Sequence, residues 1–132
     1  MSNDFENPNE VLFRQIHPSF IQDGKPSSQP FMPSPKDENK LSVDRSTIST
    51  ARDSFERYTG DGFSSAAVYG MSVGELSRES IPCISDPIKD DPQVSDNPAH
   101  ALADYSQHNS NQQKLKAKRL KIAALARGQI HP

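Results

Sequence analysis

The sequence predicts a small α+β domain: an antiparallel or mixed sheet with two helices, a long proline-rich loop and a polar N-terminal tail. Three observations lead there. Short apolar runs of strand length recur between Pro, Gly, Asn and Asp clusters. Two longer segments repeat apolar residues at helical spacing behind a capping residue. The chain has 132 residues, enough for one domain and little more.

Residues 1–9 are polar and acidic and read as a disordered lead-in. Residues 11–16, Val-Leu-Phe-Arg-Gln-Ile, read as a strand stopped by His17-Pro18. Val11, Phe13 and Gln15 share one face and Leu12, Arg14 and Ile16 the other, so alternation leaves the buried face open. Residues 22–40 hold Gly24 and four prolines and read as a long loop with a short extended piece at 30–32. Leu41-Ser42-Val43 is a second strand.

Thr50 opens a helix, with Asp53 at the capping-box position; Ala51, Phe55 and Tyr58 share a face and Gly60 stops it. Residues 65–73 read as a strand bent at Gly70, 81–84 as a shorter strand, and 99–105 as a strand following the acidic, turn-rich segment 86–98. The last element is a helix over 111–127 stopped by Gly128, with Leu115, Ile122, Ala123, Leu125 and Ala126 as its apolar arc. The order β, loop, β, α, β, β, β, α suggests a sheet with helices against one face, a single domain over 10–128.

Apolar residues make up 33% of the chain and eleven residues are proline, which implies a small core with long irregular segments. No apolar run approaches the ~18 residues of a membrane span, so no membrane association is expected. The N-terminus lacks the basic and apolar regions of a secretory signal. Cys83 is the single cysteine, which fits a reducing, cytoplasmic compartment. Charge is uneven: residues 105–132 carry six bases and no acid, whereas the rest of the chain has a net charge of −8. A basic end on an acidic body either docks on that body or meets an anionic partner.

Each chemical candidate has a plainer rival. His17 and His100 flank prolines at strand ends and, with Arg14, form a candidate site for an anion or a reacting group; the rival is two half-exposed turn histidines. Cys83 with His100 as base is a possible nucleophile, but Ile-Pro-Cys-Ile favours a small buried residue. No His pair has metal-ligand spacing, so no metal and no cofactor are expected. Gly60-Asp61-Gly62 follows a helix and reads as a turn, not a phosphate cradle. The bases Lys114, Lys116, Lys118, Arg119, Lys121 and Arg127 are candidate contacts to nucleic acid or another anion, yet no aromatic residue interleaves them for base stacking. Docking on the acidic body is the favoured reading of that helix.

Two resemblances add to this. The order of Arg14, Ser64-Ser65 and Glu75 or Glu79 is similar to that of ADP-ribosyltransferases, but the glutamates lack the paired spacing of those enzymes. Leu12-Phe13-Arg14-Gln15-Ile16-His17-Pro18, with Phe31-x-Pro33, Asp37-x-x-x-Leu41-Ser42-Val43 and Asp96-Asn97-Pro98-Ala99-His100-Ala101, resembles a group of small uncharacterised bacterial proteins. That resemblance implies a bacterial, cytosolic, single-domain protein and directs attention to Arg14, His17, Asp96 and His100 as one site.

The functional expectation is an accessory or regulatory protein that binds a protein partner without turnover. The alternatives are a nucleic-acid-binding regulator using the basic helix, and a small enzyme or ligand-binding protein using Arg14, His17 and His100.

Overall fold

A computed structural model describes residues 5–131. Among these residues seven strands and three α-helices follow one another: β1 (Val11–Ile16), β2 (Ile21–Gln22), β3 (Lys25–Pro26), β4 (Lys40–Arg45), α1 (Ala51–Gly60), β5 (Ala67–Ser72), α2 (Val73–Arg78), β6 (Cys83–Ser85), β7 (His100–Asp104) and α3 (Ser110–Arg127). Five strands form one sheet in the order β5-β1-β4-β7-β6, antiparallel throughout, and β2-β3 is a separate hairpin. The protein is an α+β domain. None of the described helices is long and apolar enough to cross a membrane.

The register settles the face that alternation left open. Leu12 lies opposite Met71, Ile16 opposite Ala67, Leu41 opposite Ala103 and Val43 opposite Ala101, so these side chains share one face. They join Phe31, Leu76, Ile81, Tyr105, Ala117, Leu120 and Ala124 in the hydrophobic core. α2 and α3 therefore cover this face. α1 crosses the other one, where Ser54 sits over Gln15 of β1 and Asp44 of β4. The expectation of helices on one face gives way to helices on both.

α3 runs where periodicity put it, but it buries a different side. Gln113, Ala117, Leu120 and Ala124 face the sheet, whereas Leu115 and Ile122 are 49% and 64% exposed. Small alanines let the helix approach the strands closely, and that close approach selects the face. Gln113 earns its burial by donating to the Tyr105 and His108 carbonyls at 3.3 and 2.8 Å, which orders the entry to the helix.

Three other expectations change. Val73 begins α2 rather than ending a strand, because Ser72 and Glu75 close a reciprocal capping box. Gly70 is not a bend: it lies within β5, where a Cβ would run into the Val11 and Ile130 side chains. The loop 22–40 is built from short helical turns at Gln29–Phe31 and Pro35–Asp37, and Phe31 is fully buried. Of the lead-in expected to be disordered over 1–9, residues 1–4 lie outside the described residues. From Phe5 onward it packs, with the Phe5 ring 4.0 Å beneath the Arg45 guanidinium and the Pro8 carbonyl accepting from Gly74 N. The other chain end covers the β5 edge through Val68 and His131.

Candidate functional site

β1 and β4 pair only at Leu12–Arg45 and Phe13–Asp44. Beyond Phe13 they separate, and the Arg14 side chain enters the opening. Its Nε donates to the Pro30 carbonyl at 2.7 Å and its Nη1 to the Ser42 carbonyl at 3.2 Å. No carboxylate among the described residues forms an ion pair with it. Burial lowers the pKa of this guanidinium from its ordinary value, yet arginine starts so high that the group stays charged. A recessed cation is thus held by two carbonyl oxygens, with Asp37 supplying a more distant negative charge.

The opening leads into a cavity of about 260 Å³ between the sheet, α1 and the loop over residues 86–99. Phe13, Tyr58, Phe63, Ile88 and Val94 give it apolar walls, and the Tyr58 and Phe63 rings stack with centroids 5.0 Å apart. Asp44 ties its polar side together. One carboxylate oxygen accepts from Ser54 Oγ at 2.6 Å and Arg57 Nη1 at 3.2 Å, and the other from Asn97 Nδ2 at 2.8 Å. Gln15 braces Ser54 through Nε2 at 3.0 Å and accepts from Ser65 Oγ at 2.7 Å. The Asp44 charge is therefore met by Arg57 and held in place. Asp61, at the end of α1, accepts from Ser95 N and Oγ and so fastens the loop to the helix.

Arg14 and His100 both line this cavity. The ladder pairs Phe13 with Asp44 and Asp44 with His100, so His100 lies two strand spacings, about 10 Å, from β1 at the backbone. His17 and Asp96 do not join them. His17 is exposed and caps its own helical turn, its Nδ1 accepting from Ser19 N at 3.0 Å. Asp96 is exposed and accepts from Asp90 N at 3.0 Å. The four-residue site read from the sequence is thus a pair, joined by Asp44, Ser54, Arg57, Tyr58 and Asn97. Those five carry no motif spacing, and only the strand register brings them together.

The other candidates separate. Cys83 shares the core face with Ala103, whereas His100 points to the cavity face, so the two do not meet across the sheet. Burial, with Glu10 adding to it, pushes the Cys83 thiol up to about 11, which suppresses the thiolate. A wider, shallower hollow beside Phe5, Ser80 and Cys83 holds no charged side chain. Among the described residues, no cluster of three or more His, Cys, Asp or Glu is placed to hold a metal.

Half of the basic helix is engaged. Arg127 meets Glu75 at 2.9 and 3.0 Å, Arg119 meets Glu79 at 3.1 Å, and Lys116 donates to the Glu79 carbonyl at 2.7 Å. The same contacts occupy both glutamates of the ADP-ribosyltransferase-like order. Lys114, Lys118 and Lys121 form no ion pair among the described residues.

Compared with known proteins, the chain matches no family model, no curated protein and no solved structure.

Proposed function

We propose that this is a ligand-binding protein that takes a small organic anion into the cavity between the sheet and α1. The observation that carries the reading is the Arg14 guanidinium, recessed at the cavity, hydrogen-bonded to two carbonyls and paired with no carboxylate among the described residues. A charge taken from water is stabilised when an opposite charge joins it. Apolar walls with a few fixed polar groups are the usual make-up of a small-molecule site. Binding is favoured over turnover because Asp44, Ser54 and Arg57 already satisfy one another. A thermal-shift screen of small carboxylic acids against their primary amides tests the reading. Acids should raise Tm in a concentration-dependent way where the matched amides do not; equal effects from both would remove the proposal.

A second reading, a protein partner on the outer face of α3, is favoured by exposed Leu115 and Ile122 among Lys114, Lys118 and Lys121. Co-purification with nuclease treatment tests it. A stoichiometric protein that survives nuclease and is lost on replacing the three lysines supports it, and recovery of nucleic acid instead turns the face into a phosphate-binding one. For location, a single free cysteine supports a reducing, cytoplasmic compartment, and the motif resemblance supports a bacterial one.

A further inference from the structure

We infer that the ligand is a planar, singly charged carboxylic acid bearing a hydrogen-bond donor remote from its carboxylate, as in a hydroxylated aromatic acid, with Arg14 taking the carboxylate and His100 Nε2 accepting from the donor. This rests on the anion-binding reading above and names the ligand class.

The His100 tautomer is set by its neighbours. Nδ1 lies 2.9 Å from the Asp86 carbonyl and 3.1 Å from Asp86 Oδ2. Both oxygens only accept, so Nδ1 carries a proton, and with that one proton on the ring Nε2 is an acceptor. Nε2 has no partner among the described residues. No buried side-chain nitrogen or oxygen among them lacks one, so Nε2 is open to solvent even though the side chain is only 14% exposed. His100 lines the cavity, and its Nδ1 contacts fix the ring and leave Nε2 as its acceptor.

Charge sets the valence. Arg57 is matched by Asp44, and Asp61 stands at the same cavity with a second negative charge. Arg14 forms no ion pair among the described residues, and the negative charges of Asp61 at the cavity and Asp37 near Arg14 disfavour a phosphate dianion, which leaves a monoanion as the better match. Phe13, Tyr58 and Phe63 favour a flat apolar body between the two polar ends. A cavity of about 260 Å³ suits a small ligand such as a single substituted ring. Arg14 enters the opening from the core face of β1 and His100 stands on the cavity face of β7, two strand spacings away, so one molecule would meet them at its opposite ends.

Calorimetric titration of the full chain with benzoate, 3- and 4-hydroxybenzoate, 4-hydroxybenzamide and phenyl phosphate tests this. One hydroxybenzoate should bind about three- to tenfold more tightly than benzoate, the ratio that a net hydrogen bond supports. The amide and the phosphate should bind more weakly than that acid. In His100→Phe the preference for the hydroxyl should fall to about one. A measurement on the unaltered protein stands beside the variant: the 15N resonance of His100 Nε2 should move with the hydroxy acid and not with benzoate. If benzoate binds but neither hydroxyl position adds affinity, the ligand class is wrong and the anion site stands. Tighter phenyl phosphate overturns the monoanion assignment. If no acid binds saturably, both this inference and the anion-binding reading fall.

Discussion

Arg14 Nη1 donates to the Ser42 carbonyl at 3.2 Å, across the opening where β1 leaves β4. One side chain thereby does what a ladder hydrogen bond does elsewhere in the sheet. A second bond, to the Pro30 carbonyl, fixes the turn that carries the buried Phe31, and the Tyr105 hydroxyl donates to the Phe31 carbonyl at 2.7 Å. Arg14 thus links the split in the sheet to the seated proline-rich loop.

Arg14→Gln should lose anion binding and also destabilise the fold by about 2–3 kcal/mol, since hydrogen bonds from a charged group are removed from two carbonyls. Urea unfolding measures the second effect. A fully stable variant would mean that Arg14 does not hold the opening.

The Glu10–Arg45 pair predicts the acid limit of the fold. Two bonds of 2.9 Å join them, with side-chain exposures of 1% and 9%. The Arg45 hydrogen bond, opposed by burial and helped by Thr47, holds the Glu10 carboxyl below its usual range. A depressed carboxylate adds stability that is present above its unfolded pKa, about 4.3, and is lost as pH falls through the lower folded value. Unfolding free energies from pH 7 to pH 3 should show that loss. Glu10→Gln should cost about 1.5–3 kcal/mol at neutral pH, because two hydrogen bonds between charged groups are weakened, and should flatten the acid limb.

The buried face of α3 can be checked directly. Leu120→Ala should cost about 2–5 kcal/mol, whereas Leu115→Ala and Ile122→Ala should stay within about 0.5 kcal/mol. The reverse order would mean that the helix packs on the arc its sequence suggests.

That arc shows where legibility ended. The strand runs at 11–16 and 41–43, the Thr50 cap and the Gly128 stop were readable because each is a local preference of backbone or cap. The α3 face was not, since Leu115 and Ile122 outrank Ala117 and Ala124 on any apolar scale, and only the fit against β5 selects the small residues. The site divided in the same way. Arg14 and His100 stood out by residue type, His100 also by its place just after Pro98. Asp44, Ser54 and Asn97 did not, because an Asp in a strand, a Ser in a helix and an Asn in a turn become one hydrogen-bonded group only when the register brings them together.

Cys83 should resist modification. With its thiol pushed up to about 11 by burial, alkylation at pH 8 should run about a hundredfold slower than for a free cysteine. Addition of urea should restore the ordinary rate. Rapid labelling of the native protein would show that the thiol is not held in its apolar setting.

The most direct test of the central claim watches the guanidinium itself. In the 15N-labelled protein, the Arg14 Nε–H resonance should shift saturably as benzoate is added, while that of Arg45, bound to Glu10, stays in place. Arg14 and Arg45 moving together, or neither moving at millimolar benzoate, would contradict the assignment of the cavity as an anion site.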